Sequence, residues 1–201
     1  MIRLYDFLSS GNAYKVRLLM TQLGIPFERV DIDILKGESR TDAFLAMNPN
    51  GRIPVLELNA EERLAESNAI LVYLAEGTPF FPKARWQRAK VLEWLFFEQY
   101  SHEPNIATPR FWLTHFPITE DRRAALEQKY RLGYEALDVM ERHLARRAFF
   151  VADEYTIADI ALFAYTHVAH EGGFDLAPFG AVRAWVERVR SQRGHIPITA
   201  G

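Results

Sequence analysis

Arg52-Ile53-Pro54-Val55-Leu56-Glu57 sets a proline at the mouth of an apolar strand, read as residues 55–58. Proline has no N–H to give a sheet ladder, so a strand tolerates it only at its first residue, an edge or a bulge. The Ile53 amide and carbonyl just ahead of it are then free to pair with something other than the sheet. A second stretch follows closely. Glu66-Ser67-Asn68-Ala69-Ile70 opens a helix with a carboxylate and a hydroxyl, and a helix N-terminus favours anions. Unpaired backbone beside an anion socket suits a short peptide that carries a carboxylate at one end.

Upstream of these stretches the chain alternates strand and helix. Residues 2–7 form a short β-rich run, and residues 12–23 have helical spacing through Val16, Leu19, Met20 and Leu23. Gly24-Ile25-Pro26 stops that helix. Residues 27–34 read as a second strand, completing a βαβ unit whose crossover should be right-handed. After the turn cluster Asn48-Pro49-Asn50-Gly51 come the strand at 55–58 and a brief one over Arg63–Ala65, with residues 59–62 as a hairpin turn. Residues 67–76 form the next helix, and Gly77 lies just past its end.

Gly77-Thr78-Pro79-Phe80-Phe81-Pro82 reads as a linker. The expected division is an α/β domain over residues 1–77, a linker at 78–83 and an all-helical domain over 84–201. Residues 83–116 suit one long helix or a kinked pair, interrupted around Pro104 and Pro109. Over residues 120–147 the positions Leu126, Tyr130, Gly133, Leu137, Met140 and Leu144 mark one buried stripe. Thr156-Ile157-Ala158-Asp159 resembles a capping box with Asp in place of Glu. The apolar residues behind it, 160–165, send that helix through the bundle centre. Residues 178–190 form a last amphipathic helix, and the tail at 194–201 offers little to pack and should be loosely held.

Composition narrows the function. A chain of 201 residues suits one large or two small domains, and 49% hydrophobic residues supply a sizeable core. The net charge of -2 argues against a nucleic-acid binder, which would show a basic stripe. With no cysteine there is no disulfide, no Cys-based metal site and no catalytic thiol of the protein's own. No apolar run is long enough to span a bilayer, and Met1-Ile2-Arg3-Leu4-Tyr5-Asp6 has no signal-peptide core. A soluble cytoplasmic protein without membrane partners is expected. His167-Val168-Ala169-His170-Glu171 has spacing for a metal but no third ligand, so no metal is expected. No Gly-rich phosphate loop or serine-hydrolase elbow is present.

Leu8-Ser9-Ser10-Gly11-Asn12 joins the first strand to the first helix, the place where α/β sheets bind ligands. Ser10 there can donate to an anion, although capping the helix is the commoner job for such a serine. In combination the signals become specific. Ser10-Gly11-Asn12, Arg52-Ile53-Pro54, Glu66-Ser67, a linker and a helical half with Thr156-Ile157-Ala158-Asp159 together resemble the cytosolic glutathione S-transferase family over essentially the whole chain.

The resemblance implies a thioredoxin-like α/β N-terminal domain (βαβ-α-ββα) that binds glutathione as co-substrate, followed by an all-α bundle. It implies a cis bond at Pro54 and pairing of Ile53 with the cysteinyl backbone. Ser67 would take the γ-glutamyl carboxylate and Glu66 the ammonium, while Arg52 and Lys36 are candidates for the glycyl carboxylate or the rim. The hydroxyl position falls on Ser10, as in serine-type theta, zeta and phi members, with Ser9 taking the role if the loop is one residue out of register. Ser10-Gly11-Asn12-Ala13-Tyr14-Lys15 is also similar to the Thr-Pro-Asn-Gly-His-Lys loop of bacterial nu-class members, which makes Asn12 a second donor near the sulfur. The second substrate, a small hydrophobic electrophile, should bind between the domains against Tyr100, Ile106, Arg110 and Phe111. A homodimer is expected. The implied activity is transfer of alkyl or aryl groups to glutathione, with disulfide or peroxide reduction or a non-catalytic module as alternatives.

Overall fold

A computed structural model describes all residues, Met1–Gly201, and divides them into two compact units. The first holds Met1–Glu76 together with Arg193–Gly201; the second holds Gly77–Gln192.

The first unit is built on a four-stranded sheet in the order β2-β1-β3-β4. β1 (Ile2–Asp6) runs parallel to β2 (Phe27–Asp31), while β3 (Val55–Glu57) is antiparallel to both β1 and β4 (Arg63–Ala65). A parallel pair needs a crossover, and α1 (Gly11–Leu23) supplies it. Gly24 ends α1 in a left-handed conformation at φ 67°, its N–H returning to Met20 O and Thr21 O. Only glycine adopts that conformation without cost, so the helix stops where the sequence says it should. α2 (Asp42–Met47) and α3 (Ser67–Ala75) complete the βαβ-α-ββα order, and α3 packs against α1. The expected thioredoxin-like architecture is the one observed.

β3 begins at Val55, one residue past Pro54, and the Ile53–Pro54 peptide bond is cis. The ladder register starts at Val55 opposite Tyr5 and Ala65. Ile53 therefore lies outside the sheet, as a proline at a strand entrance requires.

The tail departs from expectation. The sequence assigns residues 194–201 to the helical domain as a loosely held tail, yet Arg193–Gly201 groups with the first unit and bonds to α1. Tyr14 Oη donates to Ile196 O at 2.6 Å, and the buried Arg17 guanidinium donates to Ile198 O at 3.0 Å and to Ala200 O. Main-chain carbonyls hold this tail, and Ile198 buries its side chain there.

The second unit is helical. α4 (Arg85–Phe97) passes through a π-helical turn, Glu98–His102, into α5 (Glu103–His115). Pro104 sits in the first turn of α5, where its missing N–H costs little, and Pro109 is accommodated inside the helix. α6 (Glu120–Leu144) buries Leu126, Gly133, Leu137, Met140 and Leu144 as the spacing predicts. α7 (Ile157–Thr166) is buried along its whole length, and α8 (Gly180–Arg190) packs beside it. The capping box is present: Thr156 Oγ1 accepts from the Ala158 N–H, and Asp159 Oδ2 accepts from the Thr156 N–H at 2.9 Å. No helix is long and apolar enough to cross a membrane.

Candidate functional site

Three backbone features of the first unit gather the candidate residues. The loop after β1 and the first turn of α1 deliver Ser10 and Asn12, the cis Ile53–Pro54 bond delivers Ile53, and the start of α3 delivers Glu66 and Ser67.

Ser10 is the N-cap of α1, with extended backbone and its Oγ accepting from the Ala13 N–H at 3.3 Å. Capping uses a lone pair and leaves the hydroxyl proton for another acceptor. The two readings of this serine are thus compatible: one oxygen accepts from the helix while its proton is donated outward. Ser9, the alternative, lies one residue earlier in the same turn and is half-buried.

Glu66 precedes α3 at φ 67° and ψ 110°, a conformation that L side chains rarely adopt. It is exposed, whereas Ser67 beside it is 4% exposed. The first turn of α3 itself contains no acidic residue, and Glu66 at the N-cap is the carboxylate beside that helix end.

Behind Ser67 lies a cation that sequence reading passed over. Lys15 has no exposed surface. Its Nζ donates to Asn12 Oδ1 at 2.8 Å and to Ser67 Oγ at 3.3 Å, and Ser67 Oγ lies 3.4 Å from Asn12 Oδ1. The structure therefore joins Asn12 in the first turn of α1 to Ser67 on α3, directly and through Lys15. A lysine one turn into a helix otherwise reads as solvated.

The outlying candidates are placed differently. Arg52 is exposed, and its carbonyl accepts from Asn48 Nδ2 at 2.7 Å, which pins the residue before Ile53. Lys36 is exposed and pairs with Asp33 at 2.9 Å, which raises its pKa and lowers that of Asp33. In the second unit Tyr100 is 87% exposed, Phe111 packs against His115 and Phe116, and Arg110 pairs with Glu171 at 2.7 Å. Ile106 has no exposed surface and belongs to the core of that unit rather than to a wall. His167 stacks on Phe163 and donates from Nδ1 to its carbonyl at 2.8 Å. No cluster of three or more His, Asp or Glu side chains is arranged to hold a metal.

Comparison with known proteins agrees with this geometry. Residues 1–76 match the family described as Glutathione S-transferase, N-terminal domain, and residues 104–193 match Glutathione S-transferase, C-terminal domain. The chain is similar to Glutathione S-transferase 3 of Zea mays, at 35% identity across 79% of this chain and 73% of that protein. It is 30% identical to Disulfide-bond oxidoreductase YfcG of Escherichia coli (strain K12), across 96% of this chain and 91% of that one. Among solved structures, a glutathione S-transferase from Pseudomonas fluorescens [Pf-5] superposes with a TM-score of 0.97 at 50% identity, covering 99% of each chain. The chain belongs to the glutathione S-transferase family.

Proposed function

We propose that the protein is a glutathione transferase of the serine type, in which the Ser10 hydroxyl stabilises the glutathione thiolate for attack on an alkyl or aryl electrophile. The observation that carries this reading is a capping serine after β1, next to the Asn12–Lys15–Ser67 hydrogen bonds that tie the start of α1 to the start of α3. Ile53 takes the cysteinyl backbone, Ser67 and the α3 N-terminus take the γ-glutamyl carboxylate, and Glu66 takes the ammonium. Arg52 and Lys36 serve the glycyl end, and Asn12 is a second donor to the sulfur. The thiolate attacks an electrophilic carbon and the leaving group departs with its electron pair. Tyr100, Arg110 and Phe111 are the candidates for holding the electrophile, which is small and hydrophobic.

The energetics close without a general base. A free thiol of pKa ~8.5 is only a few per cent ionised at neutral pH. Lowering that value by about two units needs roughly 2.7 kcal/mol of preference for the anion. A hydrogen bond to a charged group supplies ~1.5–3 kcal/mol and a helix end adds ~0.3–1 kcal/mol. Ser10→Ala will therefore raise the bound thiol's pKa by about one to two units and cut turnover at neutral pH roughly 3- to 25-fold. Ultraviolet titration of the thiolate and initial rates with an aryl halide measure both. Unchanged values would move the role to Ser9 or Asn12.

A second reading is glutathione-dependent disulfide reduction. It is favoured by the nu-like Ser10-Gly11-Asn12 loop and by the relative named a disulfide-bond oxidoreductase. Without cysteine in the chain, one glutathione thiolate would attack the disulfide and a second glutathione would resolve the mixed disulfide, releasing oxidised glutathione and two thiols. Parallel rates with an aryl halide and a small dialkyl disulfide separate the two activities. Failure to bind a glutathione column would leave the non-catalytic module instead. We take the working form to be a cytoplasmic homodimer; Trp86 and Phe96 on α4, which are 75% and 70% exposed, are apolar surface that a partner would cover. Light scattering should return twice the chain mass.

A further inference from the structure

Lys15 is wholly buried on α1, and burial of an ammonium is costly unless other acceptors replace its water. Its Nζ donates to Asn12 Oδ1 at 2.8 Å and to Ser67 Oγ at 3.3 Å. Lysine is a donor only, with three N–H groups and no lone pair. Both of its partners are two-sided: a carboxamide can turn either end inward, and a hydroxyl can give or accept. Facing an ammonium removes that choice. Asn12 must present Oδ1 to it, which turns the NH2 end the other way. Ser67 must present a lone pair, which leaves its proton for an acceptor; in this structure that acceptor is Asn12 Oδ1 at 3.4 Å, a long bond that a ligand carboxylate would replace.

We infer that Lys15 is a positioning residue for glutathione, whose buried ammonium sets Asn12 and Ser67 as donors toward the thiolate and the γ-glutamyl carboxylate. The inference rests on the reading that these two residues meet glutathione. It also makes the site selective for charge. A cation behind the Ser67 hydroxyl polarises its O–H bond, which strengthens donation to an anion far more than to a neutral oxygen. Ser67 is nearly closed to water, so that preference is little screened.

The test compares glutathione with its analogue amidated at the γ-glutamyl α-carboxylate, by calorimetry on the full chain. Wild type should prefer glutathione by about tenfold or more. Lys15→Met fills similar space without charge. It should weaken glutathione binding by about 10- to 100-fold and the amide by less than about threefold, so that the preference collapses. If Lys15→Met does not fold, Lys15→Gln takes its place, because a carboxamide no longer dictates which way its partners point; the same collapse is expected. A folded variant that keeps the preference, or that weakens both ligands equally as a loosened scaffold would, overturns the inference. Wild type that fails to bind glutathione at all removes the underlying reading and this inference together, a result distinct from either of those.

Discussion

Replacement of Asp159 by alanine will destabilise the helical unit by about 3–5 kcal/mol. Asp159 is fully buried at the third position of α7, and its carboxylate gathers donors from three places in the chain. Oδ2 accepts from the Thr156 N–H at 2.9 Å and the Thr156 hydroxyl at 3.2 Å. Oδ1 accepts from the Phe150 N–H at 3.2 Å and from Trp185 Nε1 at 2.9 Å. Alanine would orphan two backbone amides and the indole N–H in a site that water does not reach. Each buried unsatisfied donor costs about 1–3 kcal/mol. Trp185 itself has no exposed surface, so it cannot turn outward to find a partner. Thermal melts monitored by circular dichroism should show a drop of roughly 10 °C. A melt within about 2 °C of wild type would mean that the carboxylate is not needed there.

The same residue imposes a pH dependence. Burial pushes the Asp159 carboxyl up from 3.8 to about 6, against the lowering effect of the Thr156, Trp185 and Phe150 donors. The Thr156 hydroxyl is the one donor that can rotate to accept, so the added proton sits on Oδ2. Between these two values the folded chain holds a proton that the unfolded chain has released. Stability is therefore fully present below about pH 4 and declines as pH rises through about 6, by about 3 kcal/mol from this group. Urea titrations of wild type and Asp159→Asn across pH 4 to 7 check the sign. The slope should flatten in the variant, which has nothing to ionise.

Arg17→Met is expected to cost a further ~3–5 kcal/mol in the first unit, because it strands a buried carboxylate. Arg17 is 1% exposed and Asp6 is 0% exposed, with Nε 3.0 Å from Oδ2. Burial raises the Asp6 pKa, and Arg17, then Arg29, hold it down. Removing Arg17 leaves Arg29, 4.0 Å away, as the remaining cation, with the Phe7 N–H as the other stabilising group. It also removes the donors to Leu8 O at 2.7 Å, Ile198 O at 3.0 Å and Ala200 O. One guanidinium therefore ties residues 198–200 to the turn that leads into Ser9 and Ser10. The variant should lose the tail to trypsin at the exposed Arg193–Gly194 bond and bind glutathione less tightly. Asp6→Asn in the same chain should restore more than about 1 kcal/mol, because the two side chains are directly coupled. A double variant no more stable than Arg17→Met alone would show that the buried charge was not the cause.

Much of this was legible in the residue order. Pro54 marked the entrance of β3, and Gly24 closed α1. Thr156 with Asp159 marked the start of α7. Each is a local rule that operates within about four residues, where the backbone's own donors and acceptors must be met. Ser10, Ile53, Glu66 and Ser67 all sit at such element boundaries, while their roles toward glutathione are what the family resemblance implies. The second-unit candidates fared less well. Ile106 and Phe111 share an apolar helix on which core and pocket residues look alike, and Ile106 is core.

Sequence alone determined the strand and helix order, the cap residues, the backbone left outside the sheet at Ile53 and the absence of a protein thiol. Only the tertiary structure decided what Lys15, Arg17 and the tail at 193–201 do. Lys15 meets Ser67 across 52 positions, and Arg17 meets Ile198 across 181. A charged side chain on a helix reads as solvated until a remote segment brings the oxygen atoms that replace its water. That replacement depends on how the chain folds back, which no local pattern of residues encodes.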